Sequence, residues 1–431
     1  MRDHGLLSEP SDAWPHRFRI NRIIPQSRPL FAVVPAMSRQ TLTPYFDGLQ
    51  LRVAQLGGLL NAHLHLDRSG TYDQTFQLLL DRGVRDGAAL TLASKHAVIP
   101  LVHASDMYHP EILKHRVSYY LDRMLEIGTS RADTLVDVTD DEVGLTAIEA
   151  MRELKDKYKT RLDLRLAAYS PLGFRDDQPR RWQLLERAAQ TADFIGLLPE
   201  RDDRADYPDH IGFQESCVRA IRLAFELEKP IHIHVDQANH EFETGSEAVA
   251  EVVEQLGVAL QKGQEPRVWL VHMISPATYS EERFRSLVER LAACNIGVIT
   301  CPSAAISMRQ CRPLHSPTFN SIARVLELLA AGVPVRVGSD NICDITSPMG
   351  TPNLFEELFV LANAVRFYDL EILAKLGSGM PLNQAEIRRV QAHLAEDQEK
   401  VTAITARCLA QRVRRLPDHG QRHTLPFRRA A

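Results

Sequence analysis

From Leu60 onward, short apolar runs rich in β-branched residues alternate with longer amphipathic stretches, the pattern of a parallel sheet whose strands are joined by crossover helices. Eight such runs occur, at 60–67 (LNAHLHLD), 134–140 (TLVDVTD), 162–169 (LDLRLAAY), 194–200 (FIGLLPE), 231–236 (IHIHVD), 267–273 (RVWLVHM), 297–303 (GVITCPS) and 333–340 (VPVRVGSD). Helical spacing predicts helices over 145–158, 216–227, 246–261, 284–293 and 322–331, each leading into the next strand. A doubly wound open sheet would give the same alternation, so the count of strands does not choose between the two architectures. The polar residues do, because they gather at or near the C-terminal ends of several strands, where a (β/α)8 TIM barrel builds its active site.

Two stretches break the repeat. The connection 68–132 is long for a loop after a first strand, carries helical pattern around 75–81 and 110–127, and reads as a lid-bearing insertion. Residues 383–416 form one long helical pattern followed by a polar tail ending FRRAA, its arginines reading as a solvated helix face. The expected organisation is an N-terminal extension over 1–55, an α/β barrel over 56–375, and a helical C-terminal cap with its tail over 376–431.

Composition narrows the partners. The chain has 431 residues, of which 44% are hydrophobic and 25% charged, enough for a large core. Its net charge of -4 comes from 51 basic and 55 acidic residues spread along the chain, which leaves no footprint for nucleic acid and points to a small-molecule partner. The cysteines at 217, 294, 301, 311, 343 and 408 form neither a CxxC pair nor a disulfide framework, as expected of a reducing, cytoplasmic compartment. The first twenty residues lack an apolar core and no run of about 18 apolar residues occurs, so neither a signal peptide nor a membrane span is expected.

His63 and His65 lie two apart on the first strand, so strand alternation turns both rings to one face, here the barrel interior. An HxH pair alone is weak. His234 near the end of the fifth strand, His272 near the end of the sixth and Asp340 closing the eighth add three candidate ligands at the same end of the barrel. Imidazoles with one carboxylate suit one zinc or iron ion, with manganese also compatible. His232 shares the inward face with His234 and reads as a core or supporting residue. His103, among the histidines of the insertion, and Asn341 and Asp344, in the turn after the eighth strand, are candidate substrate contacts. Surface or structural roles are the ordinary reading of His96, His109 and His115, and Cys301 and Cys343 read as small buried hydrophobes.

The order HLH, HVDQ, VH and GSD along eight strands resembles the amidohydrolase superfamily, and most of all its cytosine deaminase branch. The resemblance runs from about Leu60 to Tyr368 and includes KHAVIPLVHASDMYHPEILKHRV in the insertion, LVDVTD on the second strand and GSDNICDITSPMGTPNLFE after the eighth. It implies a single metal surrounded by His63, His65, His234 and Asp340, with His272 contacting the water. It also implies that the ion lowers the pKa of that water, that Asp340 accepts its proton, and that an electrophilic carbon bearing nitrogen is attacked. The substrate expected is a small nitrogen heterocycle.

Departures from the resemblance shape the expectation. Gln237 stands at the catalytic position where the family's HxxE motif has a proton-shuttling glutamate, and an amide cannot replace a carboxylic acid there. Asp236, Glu200, Glu241 and Glu243 are the acids nearby in sequence. Pro171 stands where pyrimidine-binding relatives carry a glutamine, and no lysine ends the fourth strand, which favours one metal over two. No β-sandwich segment follows Tyr368, so the barrel is expected without a complete sandwich domain, and the surface left bare favours a homo-oligomer. Deamination, hydrolysis of a cyclic amide or amidine without deamination, and a catalytically weakened heterocycle-binding relative are the readings left open.

Overall fold

The computed structural model describes residues 43–83, 92–257, 264–308 and 321–415. Eight strands, β1 (Leu59–Leu64), β2 (Thr129–Asp137), β3 (Asp163–Tyr169), β4 (Phe194–Leu197), β5 (Ile231–Val235), β6 (Val268–His272), β7 (Gly297–Thr300) and β8 (Val335–Val337), form one sheet in sequential order. All seven adjacent pairs are parallel. The barrel closes between its first and last strands: Leu64 bridges Asp340, the Asp340 amide donates to the His63 carbonyl at 3.0 Å, and Asn61 Nδ2 donates to Ser339 Oγ at 2.8 Å. The α/β barrel expected from the sequence is therefore the fold.

Strand limits differ from the sequence reading in an informative way. β2 starts at Thr129, within the polar run TSRAD, because Thr129 pairs with Leu59 of β1 and the ladder to β3 then runs from Arg131 through Asp133, whose side chains pair with each other at 2.7 Å. Backbone pairing needs no apolar side chain, so hydropathy understates such a strand. At the other ends several strands stop early as the chain turns sharply outward: His272 and Asp340 adopt left-handed φ values of 78° and 59°.

Crossover helices follow the predicted spacing. Thr146–Tyr158 buries Ile148, Met151 and Leu154, Phe213–Glu226 buries Cys217, Ala220 and Ile221, and Glu281–Ala293 buries Phe284, Leu287 and Leu291. Ser280 caps the last of these by accepting from the Arg283 amide, a contact that satisfies one of the free N–H groups of a helix start. The helix predicted over 246–261 is observed as Gly245–Leu256 and ends on left-handed Gly257; the remainder of that expectation, 258–261, lies outside the described residues. Burial of these faces against the strands makes one large core, and inside the barrel a second cluster joins Leu60, Trp269, Val271 and Ile299.

The insertion between β1 and β2 is helical, with Tyr72–Leu80, Leu92–His96, Ile99–His103 and Pro110–Glu126. The long C-terminal helix is Gln384–Arg415, anchored at its start by buried Val390 and by Gln391 donating to the Ala330 carbonyl at 2.7 Å. Among the described residues no strand lies outside the eight, and no helix is long and apolar enough to cross a membrane. The expected polar tail, most of the expected N-terminal extension and Cys311 lie outside the described residues.

Candidate active site

At the C-terminal end of the barrel, strand alternation brings the inward side chains of β1 and β5 beside the ends of β6 and β8. His63 is 4.8 Å from His234 and 5.9 Å from His272 between ring centroids, and His65 is 5.5 Å from His234. The Nε2 atoms of His63 and His65 lie 3.6 Å and 3.5 Å from the same oxygen, Oδ1 of Asp340, and His272 Nε2 stands 4.0 Å from Oδ2. All five side chains are buried. Thus the five residues singled out in the sequence form one cluster.

The cluster fits a divalent ion. Ligands about 2.0–2.1 Å from a tetrahedral metal stand about 3.3 Å apart, close to the spacing of Asp340 Oδ1 from both imidazoles. Both ring nitrogens of fully buried His63 lack a hydrogen-bond partner, as does His272 Nδ1, and leaving such groups unsatisfied is costly unless something else occupies them. His234 Nδ1 donates to the Leu197 carbonyl at 3.0 Å, which fixes the tautomer whose Nε2 lone pair faces the cluster. Burial pushes the pKa values of His234 and His272 down to about 3 and holds those of His63 and His65 well below the ordinary imidazole value, so the rings are neutral. Burial, with the charge of Asp344, pushes Asp340 up to about 7. A nearby cation would favour its ionised form.

A cavity of about 120 Å³ opens over this cluster. Its lining includes Arg68, Lys95, Asn341, Thr346, Ser347 and Gln237 as polar groups and Leu198, Ile274, Tyr169 and Met308 as largely apolar surface. Gln237 Nε2 donates to Glu200 Oε2 at 2.8 Å. Burial, followed by the charges of Glu243 and Asp236, holds Glu200 well above the usual carboxylate range. Asp236 faces away from this chemistry, its oxygens accepting from the Gly245 amide at 2.7 Å and the Ser246 amide at 2.9 Å.

Other sequence candidates divide. Asn341 lines the cavity, whereas Asp344 is buried behind it, accepting from Asn341 Nδ2 and from the Thr346 amide at 2.8 Å, and so shapes the turn. His103 lies outside the cavity lining, with Nε2 3.0 Å from Asp137 and Nδ1 2.6 Å from Asp141. His232 packs inside the barrel between Phe194 and Trp269, at 4.4 Å and 6.5 Å between centroids. The sequence reading passed over Arg68, Lys95 and Tyr169 and took His96 for a surface or structural residue, whereas all four line the cavity. Arg68 directly follows the HLHLD strand end and could have been flagged by position; His96 sits on a five-residue helix with no periodic signal.

The chain matches the amidohydrolase family over residues 56–384. It is 26% identical over 280 residues to an uncharacterized protein of Haemophilus influenzae, covering 64% of this chain and 92% of that one. It is 23% identical over 263 residues to a pterin deaminase of Rhizobium rhizogenes, covering 60% of this chain and 55% of that enzyme, little more than half its length. Among solved structures, 5-methylcytosine deaminase from Klebsiella pneumoniae liganded with phosphonocytosine shares the fold, with a TM-score of 0.59 at 22% identity over 76% of this chain and 78% of that one. With its barrel, its histidine–aspartate cluster and a match across most of its length, the chain belongs to the amidohydrolase family and is a hydrolase of carbon–nitrogen bonds other than peptide bonds.

Proposed function

We propose that the chain hydrolyses a carbon–nitrogen bond in a small cyclic nitrogen compound at a single divalent metal held by His63, His65, His234 and Asp340. The observation that carries this reading is the convergence of three neutral imidazoles and one carboxylate under a small cavity, with both nitrogens of His63 unpartnered. The donor set suits zinc or iron, with manganese compatible. When bound, such an ion supplies Lewis acidity and lowers the pKa of water toward neutrality.

The residues of the chain then do the proton work. Asp340 accepts a proton from the attacking water as its oxygen bonds to the electrophilic carbon, and returns that proton to the departing nitrogen as the carbon–nitrogen bond breaks. His272, with Nε2 4.0 Å from Asp340 Oδ2, orients the water. Asn341, on the cavity wall, contacts the substrate.

Elemental analysis of the purified protein, paired with an ammonia-release screen over pyrimidines, pterins, triazines, purines and cyclic amidines, tests the proposal. About one zinc or iron per chain with turnover that is abolished in the folded His63→Ala/His65→Ala double variant supports it. Absence of metal in the wild-type protein, or activity surviving the double change, overturns it. Gln237 favours a second reading, ring or amide hydrolysis without ammonia release, which the same screen detects as substrate loss without ammonia.

A further inference from the structure

Gln237 is 7% exposed and lines the cavity above the histidine–aspartate cluster. One N–H of its Nε2 donates to Glu200 Oε2 at 2.8 Å, which leaves the carbonyl Oε1 as the acceptor the side chain can offer a ligand. That oxygen can only accept. Apart from Asp340, the described cavity lining holds no carboxylic acid. Arg68 and Lys95 line the same cavity and are donors without acceptor capacity.

We infer that Gln237 selects a substrate that already carries a ring N–H beside the reacting carbon, a cyclic amide or ureide edge, in place of a heterocycle whose bare ring nitrogen must be protonated by the enzyme. The N–H donates to Gln237 Oε1, while a ring oxo group accepts from Arg68 or Lys95 of the same lining. The proton that other chemistries would need from a side chain is present in the ligand from the start, which removes the need for an acid at position 237. A site built around a hydrogen bond rejects a ligand lacking the donor, because the buried amide oxygen is then left unpaired. This inference rests on the hydrolase reading above for the location of the site.

The test is equilibrium binding to the full-length, zinc-loaded protein of matched probes: uracil, hydantoin and cyanuric acid, their ring N-methyl derivatives, and pyrimidine, which has ring nitrogens and no N–H. The expected result is saturable binding of at least one N–H probe, weakened about tenfold or more by methylation of its N–H, with pyrimidine no better than the methylated form. In Gln237→Leu the difference within each pair collapses while zinc content is unchanged. Equal binding of N–H and N-methyl partners, preference for pyrimidine, or no binding of any N–H probe to zinc-loaded wild-type protein overturns the inference, and none of these outcomes depends on the variant folding. Zinc binding with the N–H preference intact but no hydrolysis of any probe would count against the hydrolase reading alone.

Discussion

Arg68 Nη2 lies 2.6 Å from His65 Nδ1 and donates a hydrogen bond to it. A neutral imidazole that accepts at Nδ1 carries its proton on Nε2, the atom that faces Asp340. Ligation through Nε2 therefore requires the proton to move to Nδ1, where it would confront the guanidinium. Arg68 and a divalent ion compete for the same ring, and they also repel as like charges.

Replacing Arg68 by Met is accordingly expected to tighten metal binding, by about tenfold, or ~1.4 kcal/mol. Competition of the purified protein against a chelating dye measures it. Unchanged or weaker binding in Arg68→Met would show that the contact to His65 does not oppose the metal.

Asp340→Asn keeps an oxygen that can ligate but removes the basicity needed to accept a proton. The expected result is a fall in kcat of about a hundredfold to ten-thousandfold with metal still present in the purified protein. A kcat near that of the unaltered enzyme would assign the proton transfer to another group.

His103 carries a pH dependence of stability. Burial alone would lower its pKa, but hydrogen bonds to Asp137 and Asp141 outweigh it and push the value up to about 9. The folded value stands above the ordinary value of about 6.5, so the stabilisation is complete below about pH 6.5 and is lost as pH rises through about 9. The unfolding free energy should fall by about 3 kcal/mol across that window, and the slope should flatten in His103→Gln. Denaturant titrations at a series of pH values decide it; equal slopes in both proteins would remove the charged pairing from the account.

Hydropathy made the barrel legible because parallel strands buried on both faces read as apolar runs, and the five-residue cluster was legible because HxH and the strand-end His and Asp residues lie where barrel chemistry is built. Boundaries were less so: Thr129–Ala132 pairs with its neighbours through backbone groups that hydropathy does not register. The cavity walls were least legible. Lys95 and His96 come from the insertion, and only tertiary packing brings them over the cluster, whereas His103, a few residues on, is turned into the Asp137–Asp141 pair.

Gly338 carries the seam between the last strand and the first. A Cβ there would lie 2.7 Å from His63 Cβ and 2.8 Å from its backbone nitrogen, and neither atom can retreat without moving β1. Gly338→Ala is expected to cost about 1–3 kcal/mol and to lower the metal content, read together by denaturant unfolding and elemental analysis. Full metal content at unchanged stability would show the seam to be more tolerant than its geometry.

His63 and Asp340 meet across the closing seam, although 276 residues lie between them in the chain. During synthesis the chain cannot assemble the complete ligand set until the eighth strand has left the ribosome and docked beside the first. Every earlier nascent intermediate lacks Asp340, so the ligand set proposed above is completed only at the end of the barrel's translation.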